Sequence, residues 1–209
     1  VIFWNGQIKF NFVLNYYKIK TFLVAKQSGF LKEFFKERKQ TGAVAPSSKY
    51  LMRHMLKPID FNKAKVIIEL GPGNGVFTKG LLGKMAPDAL LFSFELNTSF
   101  YEFMKTTIQD KRLILVNDSA EKMEEHLLLH NFTKADYIVS SLPLAVIPDE
   151  IKNSIIEISQ KILSDEGNYI QFQYSLNAKK LLEKNFKKVK INFTAINIPP
   201  AFVYSCSKT

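Results

Sequence analysis

An acidic residue, Glu69, is followed at once by Gly71, Gly73 and Gly75 in the spacing Gly-x-Gly-x-Gly. Glycines so placed let a backbone turn sharply and come close to a ligand, because no side chain holds it off. The spacing differs from the Gly-x-Gly-x-x-Gly of dinucleotide folds and lacks the Lys-Ser/Thr ending of a phosphate loop. Twenty positions after Gly75 stands Glu95, at the end of a second apolar run. A carboxylate there is able to accept hydrogen bonds from both hydroxyls of a ribose. Asp118 and Ser119 follow a third run, and the Asp side chain suits either the exocyclic amine of an adenine or the N-cap of the next helix. Ser140 opens the stretch Ser-Ser-Leu-Pro-Leu after a fourth run. The chemistry implied is the binding of a nucleoside-bearing ligand.

These residues need strands to carry them. Val66, Ile67, Ile68 and Leu70 form a short apolar run suited to a parallel strand buried on both faces. Helical spacing resumes at Val76, Phe77, Leu81 and Leu82. Beyond it the pattern predicts helix 75–86, strand 89–95, helix 98–109, strand 112–117, helix 119–130 and strand 134–140. Helix 149–163, strand 168–174, helix 176–184 and two closing strands, 186–196 and 201–207, complete the chain. Alternating strands and helices imply a parallel sheet, with the closing strands as an antiparallel pair at its edge. In such sheets ligands lie at the carboxyl ends of the strands, where all four candidate stretches fall.

The 209 residues hold 46% hydrophobic side chains, enough for one domain with a sizeable core and an extra arm. A lone cysteine, Cys206, excludes an internal disulfide framework, and three scattered histidines give no zinc spacing, so no metal is expected and a cytoplasmic setting is the default. Residues 1–65 carry 13 Lys/Arg against three acids, whereas 66–209 carry 16 of each. An anionic partner met by the N-terminal part follows from that asymmetry. Residues 1–26 contain no run of the length a membrane-spanning helix requires. In 28–40, Phe30, Leu31, Phe34 and Phe35 share one helical face, and Lys32, Lys36 and Lys39 lie among the charged residues of the rest. This pattern suits an amphipathic helix lying in an anionic membrane interface, or a surface helix on the protein's own core. Ser47 or Ser48 reads as the N-cap of a further helix that Pro58 stops. The expected division is an extension at 1–26, a helical and substrate- or membrane-facing arm at 27–60, and a ligand-binding domain at 61–209.

The acid and glycine loop resembles the first motif of the class I S-adenosylmethionine-dependent methyltransferases. With TGAVAPSS at 41–48, FELN at 94–97, SSLPL at 140–144, QFQYS at 171–175 and PPAFVY at 199–204, the chain resembles the bacterial phospholipid N-methyltransferases, often labelled ribosomal RNA adenine dimethylase-like. It departs from that pattern at Asn74 and Ser141. The resemblance implies a Rossmann-like α/β fold: a seven-stranded sheet, mostly parallel with an antiparallel last strand, plus the amphipathic arm. It implies S-adenosylmethionine held by Glu69, Gly71, Gly73, Gly75, Glu95, Asp118, Ser119 and Ser140. The implied substrate is the amine of phosphatidylethanolamine, methylated towards phosphatidylcholine by an enzyme peripheral to the inner membrane surface. Catalytic candidates are Tyr174, Tyr204 and Ser140, and Phe172 and Phe202 join the two tyrosines as rings able to face a methylated cation.

An RNA adenine N6-methyltransferase shares the glycine loop and would use the basic arm against phosphates. Such enzymes grip a flipped base with Asn-Pro-Pro-Tyr or Asn-Leu-Pro-Tyr, through an amide, a backbone carbonyl and a stacked ring. Here the stretch reads Ser-Leu-Pro-Leu, without the amide or the ring, and the separate C-terminal RNA-binding domain of ribosomal dimethylases is not expected.

Overall fold

The computed structural model describes residues 46–195, 197 and 200–209. The amphipathic stretch with Phe30, Leu31, Lys32, Phe34, Phe35, Lys36 and Lys39 lies outside them.

The described chain runs α1 (Pro46–Leu56), β1 (Val66–Leu70), α2 (Val76–Leu82), β2 (Leu90–Phe94), α3 (Thr98–Thr107) and β3 (Leu113–Val116). A 3-10 turn (Ala120–Lys122), α4 (Met123–Leu129), β4 (Ala135–Ser140) and α5 (Asp149–Ile162) come next. It ends with β5 (Leu163–Gln173), α6 (Lys179–Asn185), β6 (Lys188–Thr194) and β7 (Ala201–Ser207). All seven strands join one sheet in the order β3-β2-β1-β4-β5-β7-β6. The first five are parallel, and β7 runs antiparallel to both β5 and β6. The last two strands are therefore the expected antiparallel pair at the sheet's edge, in an order that sequence did not give. β7 is slotted inside, where Tyr204 and Cys206 are fully buried, and only β6 is left at the margin.

Side chains on one strand alternate between the two faces, and each face has its own core. Ile68, Leu70, Phe92, Phe94, Ile138 and Tyr169 point to the side covered by α4, α5 and α6. Ile67, Leu91, Val139, Ile170, Phe172 and Val203 point to the side covered by α1 and α2. Leu51, Met55 and Leu56 of α1 belong to this second core, with Ile59 just beyond them. A division at residue 60 therefore does not separate packing units, since α1 seals one face of the sheet. This helix starts at Pro46, which places Ser47 and Ser48 inside its first turn rather than at its cap. Proline suits that position because its missing N–H would have no partner there.

Other differences also have local causes. Strand β5 begins at Leu163, directly after α5, although Ser164-Asp-Glu-Gly167 is polar enough to read as a turn. Asp165 and Glu166 are exposed at its amino end, and the register with β4 shifts there between Ala135 and Tyr137. The predicted helix 119–130 is broken into a 3-10 turn and α4, because Ser119 caps the short turn by accepting a hydrogen bond from the Glu121 N–H. Burial pushes the Cys206 thiol up to about 12, since a thiolate would be stranded in an apolar strand.

Candidate functional site

The parallel register sets Leu70, Phe94, Val116 and Ser140 side by side as the last residues of β1, β2, β3 and β4. Backbone bonds bind the residues just beyond into one level edge: Gly71 N–H donates to Phe94 O at 3.0 Å, Glu95 N–H to Val116 O at 2.9 Å, and Ser141 N–H to Leu70 O at 2.8 Å. The candidates separated by up to seventy positions in sequence thus meet along the carboxyl edge.

Gly71, Gly73 and Gly75 all have positive φ, at 69°, 60° and 77°. A residue with a Cβ is strained in that conformation. Their surroundings differ. A Cβ on Gly75 would stand 2.5 Å from Ile108 Cδ1 and one on Gly71 would press Leu142 at 3.1 Å, so these two glycines serve packing as well. Around Gly73 no described residue beyond its chain neighbours comes within 4 Å of that position, so among the described residues the middle of the turn opens on free space.

Both acids are buried. Glu69 Oε2 accepts hydrogen bonds from Thr78 Oγ1 at 2.7 Å and Ser93 Oγ at 2.8 Å, tying β1 to α2 and β2. Glu95 Oε2 accepts from Gly73 N–H at 2.9 Å and Oε1 from Asn97 N–H at 2.8 Å. The second acid therefore holds the apex of the glycine turn, which brings the turn and the end of β2 into one cradle. Asn97 in turn caps α3 by accepting from the Ser99 and Phe100 N–H groups.

Asp118 accepts from the Ser119 N–H at 2.7 Å, and its other oxygen lies 3.2 Å from His126 Nε2. Burial pushes its carboxyl up, but the imidazole and the Ser119 amide outweigh that and hold it below the ordinary range. Asn117, beside it, donates to Glu95 O at 2.7 Å. His126 packs edge-on against Phe94, with ring centroids 5.5 Å apart. It escapes sequence reading because eight residues and a break in the helix separate it from Asp118.

The three catalytic candidates are placed very differently. Ser140 is fully buried and its Oγ accepts from the Leu142 N–H at 3.3 Å, inside the turn after β4. Tyr204 is fully buried, donates to Ser175 O at 3.2 Å, and burial raises its pKa. Tyr174 is 48% exposed, edge-on to Phe172, beyond the end of β5. Phe172 is buried and stacks on Phe77, while Phe202 is half-buried against Phe193.

Two polar residues absent from the sequence-based set dominate the turn after β4. Gln171 and Gln173, both buried on one face of β5, donate from Nε2 to Leu142 O at 3.0 and 2.9 Å. The Leu144 N–H donates to the same oxygen at 2.9 Å. A carbonyl oxygen has two lone pairs, so with three donors this one is saturated. The two-residue spacing of the glutamines on a strand was the signal available, since it sets both on one face. Among the described residues no group of three or more His, Cys, Asp or Glu is placed to hold a metal ion.

A sheet of this strand order, with a reversed seventh strand lodged before the sixth, is the frame of the class I S-adenosylmethionine-dependent methyltransferases, and the family match over residues 34–189 makes this chain one of them. It belongs, more narrowly, to the ribosomal RNA adenine dimethylase family, whose sequence profile matches residues 34–189. An ornithine lipid N-methyltransferase from Singulisphaera acidiphila is 26% identical over 179 residues, covering 85% of this chain and 93% of its own. The ribosomal RNA small subunit methyltransferase A of Ureaplasma parvum is 25% identical over 186 residues, covering 78% of this chain and 65% of its own. In three dimensions the chain is similar to the N-methyltransferase NodS from Bradyrhizobium japonicum in complex with S-adenosyl-L-homocysteine. The TM-score there is 0.60 at 12% identity, over 77% of this chain and 87% of that one. The open space at Gly73 and the carboxylate beside it suit the cofactor of this class, which presents a backbone-hugging amino-acid end and a ribose diol to such a turn.

Proposed function

We propose that the enzyme methylates the amine of a membrane lipid headgroup, with phosphatidylethanolamine as substrate, rather than the N6 amine of an adenine in RNA. The observation that carries this reading is the saturated Leu142 carbonyl. To grip a flipped adenine, a turn of this kind needs an amide, a ring and a backbone carbonyl that receives the base amine. Ser-Leu-Pro-Leu has neither the amide nor the ring, and the carbonyl after its first residue is already held by Gln171 and Gln173. The similarity to the ornithine lipid N-methyltransferase, over nearly all of that chain, supports the same choice.

In this reading Gly71, Gly73 and Gly75 carry the amino-acid end of S-adenosylmethionine, Glu95 accepts the ribose hydroxyls, and Asp118 with Ser119 meets the adenine. Glu69 supports the turn from beneath, and Ser140 lies beside the methyl donor. The bound cofactor supplies an activated methyl group, so the protein's task is to align donor and amine and to exclude water. The amine must be neutral to attack, and in this reading Tyr174, the exposed tyrosine at the end of β5, faces it and attracts its methylated, cationic products. No described helix is long and apolar enough to cross a membrane; in this reading the lipid is met from the surface, with the amphipathic stretch at 28–40 as the anchoring segment.

Transfer of labelled methyl groups to vesicles of phosphatidylethanolamine, to vesicles of ornithine lipid and to ribosomal RNA, run in parallel, tests the reading. Label in phosphatidylethanolamine is expected. Label in ornithine lipid alone would change the headgroup and keep the class, and label in RNA alone would overturn the proposal.

A further inference from the structure

The equal numbers of acids and bases in residues 66–209 conceal a local imbalance. Between 177 and 194 stand Lys179, Lys180, Lys184, Lys187, Lys188 and Lys190, against one acid, Glu183. All six lysines are exposed. Lys179, Lys180 and Lys184 belong to α6 and Lys187 to the link after it. Lys188 and Lys190 stand on the open edge strand β6, on the face away from α6, because Val189 and Ile191 pack on the α6 side; the two sets meet only along the sheet's margin. Among the described residues only Lys179 of the six has an acidic partner, Glu183 at 3.7 Å.

The same flank ends in exposed apolar side chains. Tyr174 and Leu176, in the turn from β5 to α6, are 48% and 47% exposed, and Phe193 near the end of β6 is 56% exposed. Because β5 and β6 are both antiparallel to β7, they run in the same direction. Tyr174, Leu176 and Phe193 are therefore all at the carboxyl edge of the sheet, the edge that holds Gly73, Glu95 and the turn after β4.

We propose that this flank, α6 with the β6 edge, is a docking surface for an anionic lipid bilayer, its lysines at the headgroup phosphates and Leu176 and Phe193 in the acyl boundary. Lysines on an edge strand also discourage pairing with another sheet, which accounts for Lys188 and Lys190 but not for the three on α6. The choice of residue favours lipid over a nucleic acid. No arginine follows Arg112 in the chain, whereas the planar fork of arginine is the side chain that grips a phosphodiester backbone in two places. Lysine instead offers a hydrated point charge suited to a headgroup layer, backed here by side chains that enter hydrocarbon. Edge strand β6 is three places from β4, so at the usual strand spacing a bilayer on this flank lies roughly 15 Å from the turn beside the proposed methyl donor. The inference rests on the lipid reading for its purpose, though not for its measurement.

The full chain is changed at Lys179, Lys180, Lys187, Lys188 and Lys190 to Gln and compared with the unaltered protein by co-sedimentation with phosphatidylcholine–phosphatidylglycerol vesicles. Partitioning is expected to fall at least ten-fold, while calorimetric affinity for S-adenosylmethionine and methyl transfer to detergent-dispersed amine lipid stay unchanged. A second variant, Leu176→Ser with Phe193→Ser, is expected to weaken vesicle binding while retaining its dependence on salt. Vesicle binding equal to that of the unaltered chain in the lysine variant would overturn the proposal. So would loss of binding to a single-stranded oligoribonucleotide with vesicle binding intact. Since sedimentation involves no methyl transfer, a failure of the lipid-amine reading would show in the transfer assay alone and leave the docking result readable.

Discussion

At the scale of single residues, Gly73 separates a conformational demand from a steric one. Its φ of +60° disfavours any Cβ, yet among the described residues no atom stands in that atom's way. The left-handed strain costs about 1–2 kcal/mol. Gly73→Ala is therefore expected to lower the melting temperature slightly and to weaken S-adenosylmethionine binding about ten-fold or more, as calorimetry would register. Glu95→Ala removes the acceptor of two backbone amides together with the proposed ribose partner. With charged hydrogen bonds contributing about 1.5–3 kcal/mol each, cofactor affinity should drop at least a hundred-fold. A variant that binds as tightly as the parent would remove Glu95 from the site. These two residues were legible because the glycine spacing and the interval to Glu95 are properties of sequence alone. Thr78, Ser93 and His126 were not: Ser93 meets Glu69 only when β1 and β2 align, and Thr78 and His126 reach their acids only when α2 and α4 fold back against the strand ends.

At the scale of elements, the turn after β4 and the end of α2 show how side chains set backbone. Gln173→Leu removes one of the two side-chain amides among the three donors on Leu142 O without emptying the space it fills. The expected result is a raised KM for the acceptor with cofactor affinity intact, and Gln173→Asn, too short to reach, should behave alike; unchanged kinetics would show that Gln171 alone holds the turn. At the other end of the sheet Arg112 donates to Leu82 O and Met85 O at 2.8 and 2.7 Å, closing the end of α2, and pairs with Asp110. That guanidinium lowers the Asp110 carboxyl from 3.8 to about 2. A depressed carboxylate contributes stability that is complete above the ordinary value and is lost as pH falls from 3.8 towards 2. Allowing for partial exposure the contribution is of order 1 kcal/mol, and Asp110→Asn should flatten the acid limb of a stability profile by that amount. Polar signals misled at this scale: Ser164-Asp-Glu-Gly167 reads as a connection because composition cannot reveal that it is an irregularity within a strand that already pairs with β4 at Leu163.

For the whole molecule, alternation of strands with helices made the parallel sheet legible, since a buried parallel strand must be continuously apolar. The closing antiparallel pair was legible too, but which of its two strands lies inside was not. Nothing in Ala201–Ser207 says whether it closes the sheet or enters it, because that depends on where β5 leaves a partner unpaired. Charge was legible only as a total: the arm's excess is plain in sequence, but the lysines of α6 and β6 become one flank only when a helix and an edge strand are brought together.

Cys206, the chain's one thiol, is held in the interior strand and kept protonated. Alkylating reagents at neutral pH should accordingly leave the native enzyme untouched and modify it at the speed with which β7 detaches from β5 and β6. Saturating S-adenosylmethionine should slow that modification in proportion to its occupancy, as mass spectrometry of timed samples would follow. A single sequestered sulfur thus works as an intrinsic clock for the opening of the sheet.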